Sequence, residues 1–228
     1  MNALLTLSAV HSMVSGGADG GICLWDLDQL PPTCTPPPSP LEPRAAVPGG
    51  PQSHQFGVSS VAYYPPDPGL FVTASYDKSV KVWDANELTV AFTFDLGLAP
   101  HSVAIAPHAR HALVAVSSAS PAIRLLDLAS GSATHSLVHG GRPVGTCTVN
   151  WSPRDEHILA SGGSDGTVML WDIRMAAGCI ACLDMTANSG RHRLDGRNRA
   201  HEGKPANQSA TWQHANALLR PSQRTHVE

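Results

Sequence analysis

The strongest constraint on the fold of this chain is a motif that occurs four times along its sequence. Each copy has an apolar stretch, a turn rich in small or polar residues, and a second apolar stretch that ends in Asp. The copies are MVSGGADGGICLWD (13–26), FVTASYDKSVKVWD (71–84), LVAVSSASPAIRLLD (113–127) and ILASGGSDGTVMLWD (158–172). Because such a repeat means that one small unit is built several times, it decides the fold class before any single residue does.

The spacing between the copies identifies the unit. The residues before the final Asp, which are Trp25, Trp83, Leu126 and Trp171, lie 58, 43 and 45 residues apart. The last two spacings match the WD repeat of about 40–45 residues, which forms one four-stranded blade of a β-propeller. Apolar and polar residues alternate in VKVWD and VMLWD, as is typical of strands. The sequence therefore predicts an all-β WD-repeat β-propeller with about four blades present, a partial propeller whose third repeat is degenerate.

Polar residues recur at fixed positions before each Trp. A hydroxyl residue stands ten positions before it and an Asp in a hairpin turn stands six positions before it. WD-repeat proteins join these two side chains and the indole N–H in one hydrogen-bonded set. The predicted structural sets are Ser15, Asp19 and Trp25; Thr73, Asp77 and Trp83; and Ser161, Asp165 and Trp171.

Such a set usually includes a His, for which His54 and His139 are the candidates, although neither follows a Gly in the usual order. The third repeat instead has Val116, Ser120 and Leu126 at the equivalent positions. We therefore expect packing alone to hold the third blade.

Two segments differ from the repeats. Residues 31–53 contain nine prolines and are interpreted as a disordered or polyproline-II insert. This insert stands where the first blade needs its outer strand, so that strand is in doubt. Residues 186–228 are polar without a period and are predicted to be a disordered tail. The propeller blades are thereby assigned to residues 1–185.

Composition excludes several classes of function. With 18 acidic and 15 basic residues the net charge is −3, which argues against direct nucleic acid binding through a basic face. No apolar stretch approaches the roughly 18 residues of a membrane span, and the N-terminus lacks the basic region of a secretory signal. We therefore expect an intracellular protein that does not bind a membrane, with its five cysteines reduced.

Two short motifs suggest chemistry, and neither is convincing. Gly162-Gly163-Ser164-Asp165-Gly166 fits the nucleophile elbow of hydrolases, but that elbow needs a strand-to-helix turn, whereas this segment is predicted to be a hairpin. Cys179 and Cys182 form a C-x-x-C motif without a second ligand pair. Residues three apart on a strand face opposite sides, so we interpret them as structural thiols. The sequence predicts no catalytic residue, no metal site and no cofactor, and hence no enzyme.

The last repeat carries a more specific signal. Trp171-Asp172-Ile173-Arg174 resembles the WDxR box of substrate receptors for cullin-4 RING ubiquitin ligases. Residues 58–88, 102–132 and 149–184 are similar to the Cockayne syndrome group A family of such receptors. This resemblance implies a seven-bladed propeller that works in the nucleus in transcription-coupled nucleotide excision repair. It also implies that Trp171, Asp172 and Arg174 bind the damaged-DNA-binding adaptor subunit of the ligase, while the ubiquitylation substrate stays unknown.

Other interpretations remain open at this point. A WDxR sequence also occurs in ordinary WD proteins as a strand-end Arg, which would make the chain a generic protein-interaction scaffold. Members of the family begin with a helical segment and continue for three further blades. The sequence is thus expected to be a family member truncated at both ends, or a fragment without independent function.

Overall fold

The computed structural model describes residues 3–7, 12–29, 42–108, 110–138, 144–175 and 179–184. These residues form sixteen strands and one helix, the 3-10 turn Leu27–Gln29. That helix is far too short to cross a bilayer, and the described residues contain no longer one. The strands are β1 (Ala3–Leu7), β2 (Ser12–Gly16), β3 (Ile22–Asp26), β4 (Ala45–Val47), β5 (Val58–Tyr63), β6 (Leu70–Ser75), β7 (Ser79–Asp84), β8 (Thr89–Asp95), β9 (Pro100–Ile105), β10 (Leu113–Ser118), β11 (Ile123–Asp127), β12 (Ser132–Leu137), β13 (Thr146–Trp151), β14 (Ile158–Gly163), β15 (Thr167–Asp172) and β16 (Cys179–Asp184).

The strands form four separate antiparallel sheets of four strands each. Strands that follow one another in the chain are neighbours in each sheet, which gives the sheets β1–β4, β5–β8, β9–β12 and β13–β16. We call these sheets blades 1 to 4. Each contains one copy of the repeat, which provides its second and third strands and the turn between them. The predicted all-β fold with four blades, including one for the degenerate repeat, is confirmed.

The connections define two edges of the blades. In a four-stranded meander, the first and last turns lie at one edge, which we call the lower rim. The middle turn and the connections between blades lie at the opposite edge, the upper rim. The lower rims of neighbouring blades are next to each other, because His111 in the β9–β10 turn bonds to Glu156 in the β13–β14 turn.

The blades stack face to face, and the core of the protein lies between them. Between blades 1 and 2, Ile22 packs with Phe71 and Trp83, whose rings stack with centroids 5.8 Å apart. Between blades 2 and 3 the core is aliphatic except for Phe94, and it includes Leu126, the counterpart of the repeat's Trp. Between blades 3 and 4, Trp171 is fully buried. The residue before the final Asp of blades 2 to 4 therefore packs against the preceding blade.

Blades 2 to 4 also share an irregularity. The pairing between the third and fourth strands shifts register at Val82/Trp83, at Leu125/Leu126 and at Leu170/Trp171. The shift is a β-bulge, which adds one residue to the outer strand and increases the twist. Because the degenerate blade has the same bulge, its backbone follows the repeat even though its side chains do not.

The outer strand of blade 1, which the sequence left in doubt, is present. Ala45–Val47 pairs antiparallel with β3, inside the segment that was interpreted as an insert. Ser53 is buried and donates a 2.8 Å hydrogen bond to the carbonyl of Gly20. The predicted insert of residues 31–53 therefore contains a short strand near its end, because three residues suffice for the outer strand of this blade. Residues 31–41 of the insert and the predicted tail of residues 186–228 lie outside the described residues.

Candidate functional site

Blade 2 contains a chain of hydrogen bonds that runs from its core to its upper rim. Trp83 Nε1 donates to Thr73 Oγ1 over 2.8 Å, and His54 Nε2 lies 2.6 Å from the same oxygen. His54 Nδ1 lies 2.8 Å from Asp77 Oδ2. A carboxylate only accepts, so Nδ1 carries the proton and Nε2 accepts from the Thr73 hydroxyl. The structure thus brings Thr73, Asp77 and Trp83 together, with His54 as the histidine of the set.

The surroundings keep the His54–Asp77 pair as a neutral imidazole beside a carboxylate. Burial lowers the pKa of His54, and the nearby Asp77 only partly offsets this effect. Burial raises the pKa of Asp77, but hydrogen bonds from Ser79 and His54 outweigh it, so the pKa lies below its ordinary value. Because His54 is fully buried, the pair is a structural link between the blade 1–2 connection and the blade 2 hairpin.

Blades 1 and 4 have the same indole-to-hydroxyl hydrogen bond. Trp25 Nε1 donates to Ser15 Oγ over 2.8 Å, and Trp171 Nε1 donates to Ser161 Oγ over 2.9 Å. The turn residues Asp19 and Asp165 accept hydrogen bonds from the main-chain N–H two positions later, over 3.1 Å in both turns. His139, the other candidate histidine, lies outside the described residues.

The degenerate blade 3 replaces the polar set in part. Val116 and Leu126 are buried where the other blades have a hydroxyl residue and Trp. The turn keeps polar contacts, because Ser120 Oγ accepts from Ala122 N over 3.2 Å and Thr146 Oγ1 donates to the Ser120 carbonyl over 3.3 Å. The expectation that packing alone holds this blade is wrong at its turn, where a short hydroxyl side chain takes the place of Asp.

The Asp that ends each repeat has one role common to all four blades. Its Oδ1 accepts a hydrogen bond from the main-chain N–H two residues later and closes a turn at the lower rim. The donors are Asp28, Asn86, Ala129 and Arg174, at 3.0, 2.7, 3.0 and 2.9 Å. Blade 4 is therefore the blade in which a cationic side chain stands at this position.

Arg174 folds back onto the Asp of its own repeat. Its Nε donates to Asp172 Oδ1 over 2.9 Å and its Nη2 donates to Asp172 Oδ2 over 2.6 Å. This two-pronged bond fixes the plane of the guanidinium. The Arg174 side chain is still 56% exposed, whereas that of Asp172 is 11% exposed. Arg174 is thus a fixed cation that faces solvent on the lower rim.

The charges of this pair stabilise each other. Hydrogen bonds from Arg174 lower the pKa of Asp172 to about 2, and the hydrogen bond to Asp172 raises the pKa of Arg174. The pair is therefore ionised over the whole physiological range. Next to it, Met175 is 51% exposed, so the fixed cation is accompanied by an apolar side chain on the same surface.

A contact between blades 3 and 4 supports the WDxR segment. His111 Nε2 donates to the Glu156 carbonyl over 2.7 Å, and the Arg110 N–H donates to Glu156 Oε2 over 2.6 Å. The neighbouring His157 carbonyl accepts from Ile173 N over 3.0 Å, one residue before Arg174. Sequence reasoning did not find this contact, because its histidines lie in turns that do not repeat between blades.

The hydrolase-like motif lies in a hairpin. Ser164 belongs to the turn between β14 and β15, and Gly166 has a left-handed φ of 81°. A strand follows where the elbow requires a helix. The comparable turn residues Gly20 and Lys78 also have left-handed φ values, of 85° and 72°. The motif is thus the repeat's hairpin turn.

The geometry of the two cysteines on β16 differs from the expectation. The bulge places Cys179 opposite Trp171 and Cys182 opposite Met169. Met169 and Trp171 are two residues apart on one strand and share a face, so the cysteines share that face as well. The two cysteines were predicted to face opposite sides, which is wrong because the bulge adds a residue between them. In the part of the chain that the structure describes, no three His, Cys, Asp or Glu side chains form a metal-binding group.

Comparison with known families identifies the repeat. The family model described as "WD domain, G-beta repeat" matches residues 50–84 and 131–172. The first match ends at Asp84 of blade 2 and the second at Asp172 of blade 4. Both therefore end on an Asp that closes a lower-rim turn.

Several curated proteins are similar to this chain. WD repeat-containing protein ATCSA-1 of Arabidopsis thaliana is 38% identical over 134 residues, which cover 58% of this chain and 29% of the relative. Radiation-sensitive protein 28 of Saccharomyces cerevisiae is 32% identical over 128 residues, covering 54% of this chain and 25% of the relative. Ribosome biogenesis protein YTM1 of Chaetomium globosum is 29% identical over 189 residues, covering 73% and 38%.

These matches leave much of each relative uncovered. The chain spans between 25% and 38% of the length of these three relatives. The four meander sheets, the Trp–hydroxyl bonds and the matched repeats nevertheless agree on the fold. The chain is an all-β protein that contains WD repeats folded as β-propeller blades.

Proposed function

We propose that this chain is a non-catalytic substrate receptor of a cullin-4 RING ubiquitin ligase. In this proposal it acts in the nucleus in transcription-coupled nucleotide excision repair and docks on the damaged-DNA-binding adaptor subunit through its lower rim. The observation that carries the proposal is the Arg174–Asp172 pair, which holds a solvent-facing guanidinium in place. The similarity to ATCSA-1 and to Radiation-sensitive protein 28 supports the choice of family.

The geometry of the pair suits docking on a partner. Asp172 uses two of the guanidinium N–H groups, and the outer edge of the guanidinium can donate to carbonyl or carboxylate oxygens of the adaptor. Since Arg174 is already fixed, little side-chain entropy is lost on binding. The half-exposed Met175 next to it supplies an apolar contact beside the charged one.

In this proposal the chain contributes proximity and no chemistry. The ligase complex carries out ubiquitin transfer, and the propeller binds both the adaptor and the substrate. Holding the substrate near the activated ubiquitin raises its effective concentration, which accelerates the transfer without a catalytic residue on the propeller. The lower rim would face the adaptor and leave the upper rim to the substrate.

Binding of the purified adaptor to the immobilised chain, measured by biolayer interferometry, tests the proposal. Arg174→Ala should weaken binding by about tenfold or more, because an Arg fixed at the centre of an interface is often a hot spot. The matched control is Arg154→Ala, which removes an exposed cation from the β13–β14 turn on the same rim. That control should change the affinity by less than about threefold.

A second variant tests the role of Asp172. Asp172→Asn keeps the size of the side chain but cannot form the two-pronged bond, so Arg174 becomes mobile. We expect a smaller loss of adaptor affinity than with Arg174→Ala, with most of the change in the dissociation rate. If Arg174→Ala and the wild-type chain bind the adaptor equally, the role given to Arg174 is wrong.

A general protein-interaction scaffold is the second candidate function. It is favoured by the match to Ribosome biogenesis protein YTM1, which extends over 73% of this chain and so covers more of it than the ATCSA-1 match does. A scaffold of this kind needs no adaptor contact at Arg174. Failure of the wild-type chain to bind the purified adaptor would favour this candidate over the ligase receptor.

A further inference from the structure

An apolar groove opens on the lower rim between blades 2 and 3. Its volume is about 340 Å³. That is near the lower limit for small-molecule pockets and suits one or two side chains of a partner. The groove is lined mainly by aliphatic and aromatic side chains, among them Tyr64, Leu70, Phe92, Phe94, Ala112 and Leu128.

Phe92 forms the outer wall of the groove and is held on two sides. Its ring contacts that of Phe94 edge to face, with centroids 4.9 Å apart. On the other side it lies against Gly131 of the β11–β12 turn, where an added Cβ would come within 2.8 Å of the ring. Gly131 has a φ of 66°, which favours glycine at this place. Phe92 is still 44% exposed, so the wall is ordered and open to a partner.

Acidic residues lie in the turns that contribute the groove's lining residues or adjoin them. Asp67 Oδ1 accepts a 2.8 Å hydrogen bond from the main-chain N–H of Gly69. The main-chain N–H of Asp67 donates to the Tyr64 carbonyl. Asp84 pairs with Leu70, and the exposed Glu87 lies in the turn that follows. Asp127 precedes Leu128 and accepts from the Ala129 N–H over 3.0 Å. The turns that contribute these acids, residues 64–69, 84–88 and 127–131, contain no Lys, Arg or His.

Two basic residues, Arg110 and His111, lie in the turn before Ala112 of the groove and form hydrogen bonds to blade 4. In this β9–β10 turn, the main-chain N–H of Arg110 donates to the Glu156 carboxylate, and the ring of His111 donates to the Glu156 carbonyl. Their contacts are therefore on the side of blade 3 that faces away from blade 2. The groove is thus apolar inside and negative at its border, which favours a ligand with the opposite distribution of charge.

We propose that this groove binds a segment of a partner protein that presents a leucine or phenylalanine side chain between lysines or arginines. The apolar side chain fills the space between Tyr64 and Phe92, and the flanking cations lie beside Asp67, Glu87 and Asp127. Apolar anchors of this kind supply most of the affinity of an interface, and the charged border supplies selectivity and speed of association. The surface is separate from Arg174, which lies in blade 4.

Fluorescence anisotropy with a synthetic probe tests the proposal on the full chain. The probe is a short fluorescein-labelled peptide with a Leu-Phe pair between two pairs of lysines. One comparison peptide replaces the lysines with glutamates, and another replaces Leu and Phe with serines. The first peptide should bind saturably, and each comparison peptide should bind about tenfold more weakly or not at all.

Variants of the chain place the binding at the groove. Ala91 is exposed on β8 and lines the groove, so the larger side chain in Ala91→Trp should fill the groove. A strand tolerates Trp, so the substitution should not unfold β8. We expect the affinity to fall about tenfold or more. The matched control is Ala46→Trp, at an exposed position on the outer strand of blade 1, and it should leave the affinity unchanged. Circular dichroism and the unfolding midpoint show whether each variant is folded.

A charge variant tests the border. Asp67→Asn combined with Glu87→Gln should weaken binding by about twofold to fivefold at low ionic strength, and the difference should vanish at high salt. Asp95→Asn at the upper rim is its control, and Arg174→Ala should also bind the probe normally. Absence of saturable binding, or equal binding to wild type and Ala91→Trp, overturns the proposal. Equal binding of the glutamate peptide would also overturn it.

Discussion

His54 and Asp77 connect two parts of the chain that are distant in sequence. His54 Nδ1 donates to Asp77 Oδ2 over 2.8 Å, and the two residues are 23 positions apart. His54 lies in the connection from blade 1 to blade 2, while Asp77 lies in the hairpin between β6 and β7. The link therefore fixes the hairpin of one blade against the segment that leads into it.

Removing the Thr73 hydroxyl should destabilise the protein strongly. Thr73→Val leaves both Trp83 Nε1 and His54 Nε2 without their partner in the core, where the Thr73 side chain is fully buried. A buried polar group that loses its partner costs about 1–3 kcal/mol, so the free energy of unfolding should fall by about 2–4 kcal/mol. Urea denaturation followed by Trp fluorescence measures the change.

The matched control is Thr93→Val on the outer strand of the same blade. Thr93 is exposed, and its hydroxyl only accepts a 3.3 Å hydrogen bond from Lys81 Nζ. Its substitution should change the free energy of unfolding by less than about 0.5 kcal/mol. Equal effects of the two substitutions would mean that the buried set contributes no more than an exposed threonine.

The sequence alone predicts most of the fold, because the repeat is a pattern of spacing. The period, the alternating strands and the Asp turns determine the number of blades and their middle strands. The outer strand Ala45–Val47 was in doubt because proline content describes a whole segment, whereas a strand of three residues needs only local pairing. Cys179 and Cys182 share a face because of a β-bulge, which the residue pattern does not predict.

The candidate site was likewise predictable from the sequence only in part. The WDxR residues are visible in the sequence because three of them are fixed in a short motif. The two hydrogen bonds from Arg174 to Asp172 depend on the direction of the Arg174 side chain, which the family resemblance does not predict. The apolar groove between blades 2 and 3 depends on residues from several turns, which come together only when the blades pack.

Acidification should weaken the protein through His54. Its pKa is lowered in the folded state from the ordinary value of 6.5, so the unfolded chain takes up a proton more readily. The contribution of His54 is therefore complete above about pH 6.5 and is lost as the pH falls toward the pKa of the folded state. Asp77, whose folded pKa also lies below its ordinary value, adds a further loss in stronger acid, below its ordinary 3.8.

The test compares the wild type with His54→Gln, which cannot titrate. The free energy of unfolding of the wild type should fall more steeply than that of the variant between about pH 7 and about pH 5. The difference between the two curves isolates His54 from the other histidines. Parallel curves over this range would contradict a lowered pKa for His54.

Glycine at position 78 should stabilise the protein. Lys78 has a left-handed φ of 72°, while the equivalent turn positions in blades 1 and 4 are Gly20 and Gly166. A residue with a Cβ is strained there by about 1–2 kcal/mol, and glycine loses part of this gain through its greater freedom in the unfolded chain. Lys78→Gly should therefore raise the free energy of unfolding by about 0.5–1 kcal/mol.

The opposite substitution in blade 1 is the control for this prediction. Gly20→Ala puts a Cβ at a φ of 85°, where it would also collide with the His54 carbonyl. It should destabilise the protein by more than about 1 kcal/mol. Thermal and urea denaturation of both variants give the signs, and a loss of stability in Lys78→Gly would show that the Lys78 side chain matters more than its backbone strain.

Removal of the His111 side chain should loosen the junction of blades 3 and 4. His111 Nε2 donates to the Glu156 carbonyl over 2.7 Å, and its ring lies 5.0 Å from that of Trp151. His111→Ala should lower the free energy of unfolding by about 1.5–3 kcal/mol, from the lost hydrogen bond and the lost ring contact. His135→Ala, at an exposed position on β12, should change it by less than about 0.5 kcal/mol.

Amide hydrogen exchange shows where the effect of His111→Ala is located. The N–H of Arg110 bonds to Glu156, and the N–H of Ile173 bonds to the His157 carbonyl, so both report on the junction. Both should exchange faster in His111→Ala, while the N–H of Val72 in the core of blade 2 should change only with global stability. Uniform acceleration of all three amides would mean that His111 stabilises the whole protein and not the junction that carries Arg174.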